Sequence, residues 1–175
     1  MSVNNKPYIH VYSNAGKITE LCRIHLAVTQ HGLAMLRYSI TQKSFITTLE
    51  HKFRGSKISV NPGTHIIIRQ IDEYLQGARK QFCHNLDLRN CSKFQQLVLK
   101  QVLHIPYGHT TTYQSIGQSI GNPKASRAIG VALANNPLPI VVPCHRVIHA
   151  NGNIGGYLGS PRNNTKICLL QLETN

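Results

Sequence analysis

A thiol, an imidazole and a guanidinium stand side by side at Cys144, His145 and Arg146, inside the run Pro143-Cys144-His145-Arg146-Val147. A free cysteine, with a pKa near 8.5, is only about 3% thiolate at pH 7, and an adjacent imidazole or cation raises that fraction. His145 is the candidate helper and Arg146 a nearby cation, so the expected chemistry is nucleophilic attack by Cys144; Arg146 itself is expected to be structural rather than catalytic, bonding helix ends or backbone carbonyls. Adjacent side chains diverge in an extended segment, so contact between Cys144 and His145 is expected to run through a turn or a water. From Leu88 onward the chain holds eight basic side chains and a single acid, Glu173. A carboxylate alone in a basic half is a candidate for a specific job.

The charge bounds the partner. Nineteen Lys and Arg face six Asp and Glu, a net +13, which favours a polyanion and a fast, salt-sensitive encounter. Five cysteines, an odd number with no CxxC pair, argue against a disulfide framework. Cys83, His84 and Cys91 match no common zinc spacing, so no metal is expected. No apolar run approaches the roughly 20 residues of a membrane span. The segment Met1–Val11 is polar and lacks the apolar core of a signal peptide. The expectation is a cytoplasmic protein without a membrane partner. Ile154 to Gly159 is glycine-rich but lacks the phosphate-loop ending, so it reads as a flexible wall of the active site.

The elements that must position these residues follow from pattern. Tyr8 to Phe53 reads mostly as strands, with Gln30-His31-Gly32 as a hairpin turn between Cys22–Val28 and Leu33–Ile40. After the break at Asn61-Pro62-Gly63, Ile67, Ile68, Ile71, Tyr74 and Leu75 fall at helical spacing. Lys80 to Ser92 is polar and reads as a linker. Phe94, Leu97, Val98 and Val102 make an amphipathic helix and are expected in the core. A second helix is expected from about Thr112, a candidate N-cap, to Ile120. A third starts around Lys124 to Ser126 and stops at Asn135-Asn136-Pro137. Helix, glycine-containing turn, helix is the outline of a helix-turn-helix. A short strand is expected after Pro139, and a last helix over Lys166 to Glu173.

Taken together these segments resemble the O6-alkylguanine-DNA alkyltransferases, or methylated-DNA–protein-cysteine methyltransferases. Asn136 to Val147 resembles that family's active-site segment. Ile105-Pro106-Tyr107-Gly108, Thr112-Tyr113, Gly121 to Ala125 and Arg127 to Gly130 resemble its helix-turn-helix. Gly156-Tyr157, Lys166, Leu169-Leu170 and Glu173 resemble its C-terminal end. The resemblance is strong over about Phe94 to Glu173 and loose before Tyr74. It implies an α/β protein in two parts: a small ribonuclease H-like α/β domain with linker over residues 1–87, and a mostly helical alkyltransferase domain over residues 88–175. It implies a monomer that flips an alkylated guanine out of duplex DNA and moves the alkyl group irreversibly to its own cysteine, once, without a cofactor. Alkylated thymine is a further candidate substrate.

The same resemblance implies roles. Cys144 is the alkyl acceptor, His145 its base through a water, Glu173 the group that orients the imidazole, and Asn136 the tie between the active-site turn and the helices. Tyr113 donates a proton to the leaving base, and Arg127 fills the gap in the stack, flanked by Ser126 and Ala128 on the DNA-facing helix, which enters the minor groove. Val147 offers its carbonyl to the guanine amino group, Tyr157 walls the pocket, Ser160 is a donor to the guanine oxygen, and Lys166 is structural or near the substrate. The loop from Tyr157 to Lys166 is longer than is usual in the family, and Leu99 stands where an aromatic residue is common. Three other readings stay open on the sequence: a damage-binding module, a thiol hydrolase built on Cys144, His145 and Glu173, and a transcription regulator.

Overall fold

Strand β1 (Tyr8–Ser13) sends Ile9 and Val11 inward, and the next two strands, β2 (Ile24–Thr29) and β3 (Gly32–Tyr38), are apolar along most of their length. This computed structural model describes residues 7–13, 23–63, 65–161 and 164–174. The chain divides into two compact units, residues 1–90 and 91–175.

In the first unit, β2 and β3 form an antiparallel hairpin, β2 also pairs antiparallel with β1, and β1 pairs parallel with β4 (Lys57–Val60), giving the order β3-β2-β1-β4. The hairpin turns through Gln30-His31 into Gly32, whose φ is +130°. A Cβ there would sit 2.2 Å from the Asn85 carbonyl oxygen, so only glycine lets the 85–87 segment lie against the hairpin. The residues Gln42–Lys52 form helix α1, not a strand. Thr41 caps it by accepting from the Ser44 amide, and Phe45 and Leu49 pack on Ile9, Val11, Ala27 and Met35. The β-branched Ile46, Thr47 and Thr48 suggest a strand locally, and the cap together with this packing overrides them. The Cys22 end of the expected strand lies outside the described residues.

Helix α2 (Ile66–Leu75) buries Ile67, Ile68, Ile71 and Tyr74, the spacing that predicted it. The polar stretch after it is not a loose linker. Gln70 accepts from the Cys83 amide, Leu33 exchanges backbone bonds with Asn85 and Asp87, and Thr29 Oγ1 donates to Asp87 Oδ2 at 2.6 Å. Arg89 clamps the same carboxylate with Nε and Nη2 at 2.8 Å each, and these bonds hold Asp87 down to a pKa of about 2.

In the second unit, α3 (Lys93–Val102) is capped by Ser92 and buries Val98, Leu99 and Val102. Leu97, expected in the core, is 54% exposed, and Leu99 takes the inward place. Strand β5 (Thr111–Thr112) leads into α4 (Tyr113–Ser119), capped by Thr112 Oγ1 on the Ser115 amide. A turn through Gly121 leads to α5 (Ser126–Ala134). The two helices approach closely at Gly117, where a Cβ would lie 2.8 Å from the Asn122 carbonyl oxygen. Gln95 closes the far end of α5 by donating to the carbonyls of Ala132 and Asn135.

The apolar run after Pro139 is a turn rather than a strand. Val142 N bonds Leu138 O at 2.8 Å, and Ile140 sits at φ +73°. Prolines 137, 139 and 143 deny this stretch a ladder, and a β-branched residue at positive φ marks a turn held by its surroundings. A single 3-10 turn, Cys144–Arg146, follows, then β6 (Val147–Ile148), parallel to β5, and finally α6 (Asn164–Thr174), which buries Lys166, Leu169 and Glu173. Among the described residues no helix is long and apolar enough to cross a membrane.

Candidate active site

Cys144 opens the 3-10 turn, and the turn decides where its neighbours point. The thiol is 4% exposed and forms part of the lining of a cavity of about 250 Å³ bounded by Tyr113, Leu133, Tyr157, Leu158 and Ser160. Asn136, at the end of α5, donates from Nδ2 to Cys144 Sγ at 3.1 Å and to Val142 O at 3.0 Å, while its Oδ1 accepts from the Leu138 amide. One side chain thus ties α5, the 137–142 turn and the sulfur together.

His145 and Arg146 turn to the other side, toward α6. His145 Nε2 meets Glu173 Oε1 at 2.9 Å. Arg146 grips both oxygens of the same carboxylate, with Nε at 2.9 Å and Nη2 at 2.7 Å, and its Nη1 donates to Ile105 O at 2.6 Å. The Gly108 amide donates to Glu173 Oε2 at 3.1 Å, and Tyr107 Oη to Leu172 O at 3.0 Å. Arg146 therefore serves the carboxylate, not the thiol. Its bond to the Ile105 carbonyl is the structural role expected from the sequence; the Glu173 partner was not foreseen. Tyr107 and Gly108, which dock the last turn of α6, were read only as part of a resemblant segment.

Electrostatics correct the expectation of a thiolate raised by its neighbours. Burial pushes the Cys144 thiol up to about 11, against the opposing pull of Asn136, Lys166 and Tyr157. Burial also lowers His145 below its usual range, with the bond to Glu173 raising it part of the way back. The resting pair is a neutral thiol beside a neutral imidazole. Nε2 is committed to Glu173, so Nδ1 is the nitrogen that can take the thiol's proton. Tyr113 is raised by burial and then by the proximity of Cys144, so its hydroxyl stays protonated at neutral pH.

Lys166 is fully buried and outside the cavity lining. Its Nζ donates to Val147 O at 2.7 Å and lies 3.4 Å from Gly156 O, and burial lowers it to about 8. It clamps the Val147 carbonyl to the glycine-rich segment. That segment turns at Leu158-Gly159, both at positive φ, with Tyr157 and Ser160 exchanging backbone bonds at 2.9 and 3.0 Å. This two-residue hairpin turn presents Tyr157 and Ser160 to the cavity.

A second cavity, about 710 Å³, adjoins the first along Tyr113, Gly130 and Ala134. Ser126 and Arg127 line it, together with Gln114, Val131 and His149; Ala128 is exposed on α5 and lines neither cavity. Leu133, Gly130 and His149 were not among the expected site residues. The helical period of α5 places Gly130 near the Arg127 face, a signal that was there to read; Leu133 lies on a different face of the helix. Among the described residues no three His, Cys, Asp or Glu are grouped as metal ligands.

A family model described as "6-O-methylguanine DNA methyltransferase, DNA binding domain" matches residues 93–175. The methylated-DNA–protein-cysteine methyltransferase of Mycobacterium bovis is 47% identical over 149 residues, covering 85% of this chain and 85% of the relative. The constitutive methylated-DNA–protein-cysteine methyltransferase of Bacillus subtilis is 44% identical over 105 residues, which is 60% of this chain and 62% of that protein. The crystal structure of Mycobacterium tuberculosis OGT in complex with DNA matches with a TM-score of 0.77 and 35% identity, covering 94% of this chain and 92% of that one. With nearly its whole length shared with such proteins, and a buried cysteine beside a histidine held by a carboxylate, this chain belongs to the methylated-DNA–protein-cysteine methyltransferase family.

Proposed function

We propose that this chain repairs alkylated duplex DNA by direct reversal, moving the alkyl group from O6 of guanine to Sγ of its own Cys144. The observation that carries the reading is the buried thiol in the cavity wall, one residue from an imidazole fixed on a buried carboxylate. The Cys144 proton passes through a water to Nδ1 of His145, and Glu173 stabilises the imidazolium that forms. Sγ attacks the alkyl carbon in line as the bond from that carbon to O6 breaks. The electron pair leaves with the guanine, which takes a proton from the Tyr113 hydroxyl; Tyr113 is restored as His145 gives up its proton through solvent. The step balances with no cofactor. Its product is a thioether, which does not hydrolyse under these conditions, so each chain acts once. The same displacement applies to O4-alkylthymine.

In this reading α4, the Gly121 turn and α5 act as a helix-turn-helix, with Ser126, Arg127 and Ala128 set against the minor groove and Arg127 filling the gap left by the flipped base. Ser160 donates to the guanine oxygen and Tyr157 walls the base. The carbonyls of Cys144 and Val147 accept from the guanine amino group, the latter held in place by Lys166. The first unit is a ribonuclease H-like domain, and the protein works as a monomer in the cytoplasm.

Intact and peptide mass spectrometry after mixing with a duplex carrying one O6-methylguanine tests the reading. The expected result is one added methyl group on the Cys144 peptide, saturating at one per chain and absent in Cys144→Ser. Tight lesion binding without mass gain would mean a damage sensor, and repeated turnover of an ester would mean a hydrolase.

A further inference from the structure

The two cavities meet at Tyr113, so the setting of one ring decides what lies between the space beside Cys144 and the space beside Arg127. Gly130 does little to hold it: even a Cβ there would come only to 3.9 Å from Tyr113 Cε1. The other side is different. The parallel pair β5 and β6 aligns Thr112 with Ile148, so the next residues in register are Tyr113 and His149. Their rings lie 5.2 Å apart between centroids and tilted by 47°, within the range of favourable aromatic pairs.

His149 is itself held from behind. Gly155 is at φ +74°, and a Cβ on it would lie 2.7 Å from His149 Nε2 and 2.8 Å from Cδ2. The imidazole thus fills the space a side chain at 155 would need. Its backbone is braced in the same turn, with His149 N bonded to Asn153 O at 2.9 Å and Gly152 N to His149 O at 3.0 Å. The stack runs Gly155, His149, Tyr113, and it ends on the hydroxyl whose proton the leaving base requires.

We propose that His149 is a positioning residue for the transfer reaction: wedged between Gly155 and Tyr113, its ring fixes the Tyr113 hydroxyl at the threshold between the two cavities. The role rests on the repair reading, in which Tyr113 serves the flipped guanine. His149 acts through Tyr113 and need touch neither the alkyl group nor the sulfur. What matters is therefore the flat ring and not the proton it carries.

The test measures single-turnover transfer at saturating duplex, with duplex affinity by fluorescence anisotropy and thermal unfolding of each variant. His149→Ala is expected to slow transfer about tenfold while affinity stays within about twofold, since a small misplacement costs rate more than binding. His149→Gln, which keeps polar groups but loses the ring, should behave like Ala, and His149→Phe should restore the rate to within about threefold by keeping the stack. Gly155→Ala should slow transfer in the natural chain by pushing the imidazole aside. On top of His149→Ala the same change keeps only the backbone strain of a side chain at φ +74°, so its added rate loss should be smaller. Transfer at full rate in His149→Ala overturns the proposal, as does a rate loss that Phe fails to restore and that tracks lost affinity, which would make His149 a DNA contact instead. No transfer by the natural chain would sink the repair reading and the His149 role with it. Full natural activity with an indifferent His149 sinks the role alone.

Discussion

Three residues converge on the Glu173 carboxylate: His145 through Nε2, Arg146 through Nε and Nη2, and Gly108 through its amide. A buried carboxylate so placed serves two side chains at once, His145 and Arg146. Glu173→Gln leaves the Arg146 guanidinium buried without a counter-ion, which should cost about 3–5 kcal/mol in urea unfolding. It also removes the influence that raises His145. The imidazole then binds its proton less readily, so the rate should fall about a hundredfold or more. The acid limb of the pH–rate profile should move to lower pH, because a more depressed base is protonated only at lower pH. An acid limb that stays put would mean that His145 is not the base. At this scale the sequence was legible for identity and not for direction. Cys144, His145, Glu173 and Asn136 were named from type, spacing and resemblance. That Arg146 reaches Glu173 depends on a 3-10 turn that no periodicity announces, and the neutral resting state of the thiol depends on its burial.

The elements were legible where a period or a cap wrote them. The apolar spacing of Ile67, Ile68, Ile71 and Tyr74 and the Thr112 cap gave α2 and α4 close to their observed bounds. Helix α1 was read as strand because three β-branched residues lie within it, and the turn at 137–142 because its aliphatics resemble a strand when the flanking prolines are discounted. The contact between α4 and the turn before α5 carries a prediction of its own. A methyl group at Gly117 would meet backbone on both sides, 2.8 Å from Asn122 O and 3.4 Å from Pro123 Cα. Neither can rotate away, so Gly117→Ala should destabilise by about 1–3 kcal/mol. It should also weaken duplex binding by shifting α5, while a folded variant keeps its Cys144 geometry. Calorimetry and anisotropy on the same samples would separate the two effects; unchanged duplex affinity would argue against α5 as the DNA-facing helix.

Over the whole molecule the charge is not confined to the part that the family model covers. Residues 1–90 hold twelve of the nineteen Lys and Arg and five of the six acids. Binding to undamaged duplex should therefore be steeply salt-dependent, losing about a thousandfold or more between 50 and 200 mM NaCl if six or more phosphates are neutralised. A shallow slope in an anisotropy titration would show that most of this charge is idle. That expectation was legible from composition alone, whereas the pinning of residues 83–89 against the first unit was not, because it is made of single bonds from Gln70, Thr29 and Leu33 rather than of a pattern. The buried, uncharged thiol has one more consequence. In the proposed reading each chain is consumed by its own reaction and must survive the wait. Oxidants and small electrophiles attack accessible thiolates, and Cys83 and Cys168 are exposed where Cys144 is buried. By burying Cys144 as a neutral thiol, the fold would in that reading give an unspent molecule a long working life.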